Sequence, residues 1–151
     1  MRVFISYSLS QVDRHIASLL ARQAQARGFL VDFTEHRPFQ ASTPSQQVSV
    51  ADVVIAIVSK DSQDVATVRS EVQTAVNSFR PVIALVESGS QFLPPPGLTL
   101  VEFDRYNPGH ALTTIDQALE AHRNKQNLGS WIVAGGLAVL ALYLLSSERK
   151  D

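Results

Sequence analysis

The run Asp52–Val58 (DVVIAIV) constrains this chain more than any other feature. It is apolar almost throughout and rich in β-branched residues, with no alternation between a wet and a dry face. Such a run belongs at the centre of a parallel sheet covered on both sides, and each parallel neighbour requires a crossover, usually a helix. The rest of the sequence supplies both. Arg2–Ser6 reads as a short buried strand, Phe29–Phe33 as a second, Val82–Val86 as a fourth and Leu98–Phe103 as a fifth. Between them lie helical patterns. Val12, Ile16, Leu19, Leu20 and Ala24 recur at helical spacing; Ser10 is placed to cap them, Asp13 stands at the capping-box position, and Gly28 ends the run. Val65, Val68, Val72, Val76 and Phe79 form a second stripe, capped by Asp64 and closed by Pro81. A last helix is expected over Ala111–Ala121. Thr34–Gln47, with Pro38 and Pro44, reads as a polar loop with room for one short helix, and Pro94–Gly97 as a rigid turn. The expected fold class is therefore α/β, a five-stranded parallel sheet wound on both faces.

Composition narrows the function. The chain has 151 residues, no cysteine and a formal net charge of −1, with a pI near 6.4. A disulfide scaffold and a thiolate metal site are excluded, and a strongly basic nucleic-acid binder is not expected. Charged residues make up 18% against 45% hydrophobic, and much of the apolar excess sits at the C-terminus. No residue from Gln126 to Ser147 is charged, and Trp131–Leu145 (WIVAGGLAVLALYLL) is almost wholly apolar. At about 1.5 Å per residue the uncharged stretch reaches roughly 33 Å, one hydrocarbon core. Trp131 and Tyr143 suit the two interfaces, with Arg123 and Lys125 before the span and Arg149 and Lys150 after it. A buried core helix is the alternative; the membrane reading is preferred because no further segment follows to bury it. The expected organisation is a domain over residues 1–121, a linker over 122–128, a transmembrane helix over 129–147 and a short polar tail over 148–151. Met1–Ile5 turns polar too soon for a secretory signal, so the domain is expected on the cytoplasmic side of a single-pass, tail-anchored protein.

In a doubly wound sheet the ligand lies beyond the carboxyl ends of the strands. That rule nominates Ser6-Tyr7-Ser8, Phe33-Thr34-Glu35, Ser59-Lys60-Asp61 and Glu87-Ser88. The chain has no GxGxxG, no phosphate-binding loop, no GxSxG elbow and no HExxH. His15, His36, His110 and His122 are scattered without metal-ligand spacing, so neither a metal nor another cofactor is expected. Glu71 stands apart from the other carboxylates, in the second turn of the helix leaving the central strand and at the edge of its apolar stripe. A carboxylate there can face the crevice, partly desolvated, or point to solvent near a helix N-terminus; position alone leaves both open.

Taken in order, these segments resemble a Toll/interleukin-1 receptor (TIR) domain of the small prokaryotic kind. Val3-Phe4-Ile5-Ser6-Tyr7-Ser8 is similar to that family's first box, with Asp13 following at the expected distance. Arg27-Gly28-Phe29-Leu30-Val31 resembles the entry to its second strand, and Asp52–Ser59 the third strand with its terminal serine. Val68-Arg69-Ser70-Glu71-Val72 matches the helix carrying the family's glutamate, and Pro81–Val86 the strand after it. The resemblance covers residues 1–121 and implies a flavodoxin-like sheet. It also implies an enzyme, a glycohydrolase or cyclase giving ADP-ribose or a cyclic isomer, that cleaves NAD+ between nicotinamide and ribose, with NAD+ as substrate and Glu71 as the catalytic residue. Ser6, Tyr7, Ser8, Phe33 and Ser59, at the strand ends, are then expected to contact substrate. Expected partners are NAD+, further TIR domains through self-association, and the lipid bilayer, in antiphage or immune-type signalling. The alternative is a non-enzymatic TIR interaction module at the membrane, a reading favoured by Thr67 standing where the family usually has an aromatic residue.

Overall fold

The structure, a computed structural model, describes residues 1–33 and 44–127. The rim residues Thr34 and Glu35, the loop His36–Gln40, the expected transmembrane helix over 129–147 and the tail over 148–151 lie outside the described residues. Among those described, no helix is long and apolar enough to cross a membrane.

The elements alternate as the patterning requires: β1 (Arg2–Tyr7), α1 (Gln11–Ala26), β2 (Leu30–Phe33), α2 (Pro44–Val50), β3 (Val53–Val58), α3 (Val65–Asn77), β4 (Val82–Glu87), β5 (Thr99–Phe103) and α4 (Gly109–Asn127). The five strands form one sheet in the order β2-β1-β3-β4-β5, every neighbouring pair parallel. β3 and β4 are buried at all their residues, which accounts for their lack of alternation. Side chains leave opposite faces by turns, so the sheet carries two cores. Val3, Ile5, Ile55, Ile57 and Leu85 pack with α1 and α4, whereas Phe4, Val54, Ala56, Val58 and Ala84 pack with α2 and α3. Burying one such Ile or Leu side chain contributes about 1.5–3 kcal/mol, and these are almost wholly enclosed.

Three local expectations are revised by the structure. Ser10 caps α1 by accepting from the Asp13 N–H at 3.1 Å, but Asp13 does not complete a capping box. The Ser10 N–H turns instead to the Ser8 hydroxyl at 3.3 Å, and the Asp13 carboxylate is drawn across the sheet end. Phe79 leaves the apolar stripe. α3 stops at Asn77, Ser78 is its C-cap, and Phe79 takes the left-handed conformation (φ 54°) that usually falls to glycine in this position. The Arg80 N–H then closes back on the Ala75 carbonyl at 2.9 Å, and the Phe79 ring is left 82% exposed. Finally, α4 continues to Asn127, so residues 122–127 extend a helix where a linker was expected. Arg123 holds that extension: it donates to the Arg27 carbonyl at 2.9 Å, covers the Phe29 ring at 4.9 Å and pairs with Glu120.

Candidate active site

β1 and β3 lie side by side, yet α1 and α3 pack on opposite faces of the sheet, so the carboxyl ends of these two strands form the switch point at which a doubly wound sheet takes its ligand. Strand alternation decides what reaches it. Ser6 follows Phe4 toward the α2/α3 face, where its hydroxyl donates to Oε2 of Glu71. α3 delivers Glu71 to this point for two reasons. Asp64 caps its first turn, accepting from the Thr67 N–H at 3.3 Å and the Thr67 hydroxyl at 2.6 Å. Val68, Val72 and Ala75 then seat the same face of the helix on the sheet, carrying Glu71 inward with them. The carboxylate is 5% exposed, so the alternative of a solvated surface glutamate is set aside.

Ser8 and Ser59 meet through Asp13 rather than through Glu71. Asp13 is fully buried. Its Oδ1 accepts from the Ser59 N–H at 3.0 Å, and its Oδ2 accepts from the hydroxyls of Ser8 and Ser62, each at 2.5 Å. The Ser10 and Ser59 hydroxyls bond to each other at 3.3 Å. One carboxylate thus ties the β1–α1 loop to the β3–α3 loop.

A second buried carboxylate works from the other side. Glu87, at the end of β4, receives Arg105 through Nε at 2.5 Å and Nη2 at 2.7 Å, a bidentate pair, and accepts from the Lys60 N–H at 2.7 Å. Arg105 Nη1 also reaches Asp61 at 2.7 Å. The Arg105 hydrogen bond holds the Glu87 carboxyl below its usual range, outweighing the opposing effect of burial. In return Glu87, and then Asp61, raise the pKa of Arg105 further above its ordinary value.

Tyr7 and Phe33 are placed elsewhere. Both pack against the α1/α4 core, their rings edge to face at 6.1 Å between centroids and 89° between planes. The sheet therefore separates this aromatic pair from the Ser6–Glu71 pair. An open hollow of about 440 Å³ runs along the outward side of α3, lined by Ala66, Arg69, Ser70, Gln73, Thr74 and Asn77; Glu71 is not part of its lining. Among the described residues no group of three or more His, Asp or Glu side chains is arranged to hold a metal ion.

Two participants were not evident from sequence. Arg105 lies two residues beyond the end of β5, and the strand-end rule extended to the fifth strand would have nominated it. Asp13 reads locally as a cap partner; the available signal was a carboxylate three residues ahead of Ile16, on the stripe that α1 buries.

Comparison with solved structures places the fold. The CMP N-glycosidase BcmB of Clostridium botulinum superposes with a TM-score of 0.56 at 16% identity, covering 77% of this chain and 99% of that one. The sugar isomerase domain of an RpiR transcription factor from Sphaerobacter thermophilus gives 0.51 at 14% identity, covering 99% of this chain and 79% of that one. At these identities the likeness is one of fold. Comparison with curated proteins found no match. The pattern of the TIR domain family, by contrast, matches residues 3–125. With this match over most of its length and a parallel sheet order in agreement, the chain belongs to the TIR domain family.

Proposed function

We propose that this TIR domain is an N-glycosidase that cleaves NAD+ at the nicotinamide–ribose bond, with Glu71 as its catalytic carboxylate. The observation that carries the reading is Glu71 itself: a carboxylate 5% exposed at the carboxyl end of the sheet, oriented by the Ser6 hydroxyl. The chemistry asks for little else. As the C1′–N bond breaks, its electron pair returns to the pyridinium ring and nicotinamide leaves neutral, without an acid. Positive charge builds on the ribose, where a carboxylate in a water-poor site stabilises it; water then adds at C1′ and releases a proton. Ser6 sits where ribose hydroxyls can take over its hydrogen bond to Glu71 on binding. The fold shared with a CMP N-glycosidase is compatible with this reaction class.

In the same reading, residues 129–147 anchor the domain to a bilayer and raise its local concentration for TIR–TIR assembly, in an antiphage or immune-type role. The test uses purified full chain on phospholipid vesicles, with NAD+ loss followed by HPLC. Wild type consumes NAD+ when clustered, and Glu71→Gln abolishes this while its thermal unfolding still shows a folded domain. Equal loss in both proteins refutes the assignment of Glu71. Failure of the full chain to float with vesicles refutes the anchor.

One observation favours a second reading, a non-enzymatic interaction module. Thr67, at the position where the family usually carries an aromatic, is committed to the Asp64 cap. NAD+ left intact under every clustering condition selects that reading.

A further inference from the structure

We propose that Asp13 and Glu87 are positioning residues for Glu71, acting through the loop Ser59–Ser62 that they clamp from opposite sides. Consecutive backbone N–H groups of this loop point to different carboxylates: that of Ser59 to Asp13 at 3.0 Å, that of Lys60 to Glu87 at 2.7 Å. The loop's side chains repeat the division, Ser62 donating to Asp13 at 2.5 Å and Asp61 pairing with Arg105 at 2.7 Å. Neither carboxylate is free to relax. Asp13 is fully buried and Glu87 is 4% exposed, so both are buried carboxylates compensated by these donors. Two residues beyond Ser62 stands Asp64, which caps α3 and so sets the rotation and height of the helix carrying Glu71. Asp13 also fixes Ser8, and thereby the loop that follows Ser6 on β1. Both halves of the Ser6–Glu71 pair are thus referred to one frame. Their role is positional, exercised through the Ser59–Ser62 loop and the Asp64 cap.

The catalytic part of this inference rests on the reading above, while the placement part rests on geometry, and the experiment separates the two. Full chain with ¹³C-labelled glutamate is prepared in detergent micelles as wild type, Asp13→Asn and Glu87→Gln, with Glu71→Gln to assign the Glu71 carboxyl signal. Ser62→Ala and Arg105→Lys serve as milder variants if either carboxylate variant fails to fold. Ile115→Val, in the α4 core, controls for loss of stability alone. The expected result is a Glu71 carboxyl resonance displaced in the clamp variants and unmoved in the control. In parallel, NAD+ turnover in the clamp variants falls about 10- to 100-fold in kcat with KM within twofold, as misplacement of a reacting group predicts. A Glu71 resonance at its wild-type position in the clamp variants overturns the proposal whether or not NAD+ is consumed. A displaced resonance with no NAD+ turnover by wild type on vesicles under every clustering condition upholds the clamp and refutes the N-glycosidase reading alone.

Discussion

Replacing Asp13 by alanine should cost this domain a large part of its stability. Asp13 is fully buried and accepts three hydrogen bonds, from the Ser59 N–H and from the hydroxyls of Ser8 and Ser62. Each bond to an ionised acceptor contributes about 1.5–3 kcal/mol, and deleting the acceptor strands the donors. The two hydroxyls can rotate toward other partners. The Ser59 N–H retains the Ser62 hydroxyl at 2.9 Å. Removing the charge also returns part of its desolvation cost. The balance is a net loss of about 3–5 kcal/mol, set against a total stability of about 5–15 kcal/mol for a domain. At about 2–4 °C per kcal/mol for a domain of this size, the thermal midpoint should fall by roughly 10 °C. Urea unfolding followed by circular dichroism measures the stability loss, with Ser8→Ala and Ser62→Ala as partial deletions expected to cost about 1.5–3 kcal/mol each. A loss under 1 kcal/mol in Asp13→Ala would refute the reasoning, since it would mean that the carboxylate's bonds and its burial cancel.

Other consequences follow from single features. Phe79→Gly should stabilise by about 1 kcal/mol in thermal melts, because it relieves left-handed backbone and gives up an 82% exposed ring; a destabilised variant would show that the ring has a partner. Arg105 depresses the Glu87 carboxyl below 4.5, so the ionised pair supports the fold at neutral pH and its contribution is lost only as pH falls below that value. Glu87→Gln should therefore be less stable than wild type by about 2–3 kcal/mol at pH 7, the gap closing below pH 4.5; a gap independent of pH would refute the pair's role. Burial lowers the pKa of His122 below 6.5, so the unfolded chain takes up a proton first and stability drops as pH falls through 6.5. His122→Gln should flatten the pH dependence of unfolding in that range, and an unchanged slope would show that His122 is not its source.

The one-dimensional pattern determined a good deal here. The continuous apolar run of β3 forced a parallel, two-sided sheet, and the strand ends then nominated the candidate site without any knowledge of side-chain contacts. Asp64 and Ser10 were legible as caps because a cap acts within one turn of its own residue. Glu71 could be singled out but not oriented, since its decisive partner, Ser6, stands 65 residues away. Tertiary structure alone decided that Tyr7 and Phe33 lie across the sheet from Glu71, and that Asp13 abandons its local capping role for donors on the β3–α3 loop. It likewise paired Glu87 with Arg105 and turned Phe79 out of its stripe. The physical reason is common to all of these. Helical and strand periodicity encode which face of an element is buried, whereas the partner of a buried charge is set by which elements the sheet order brings side by side.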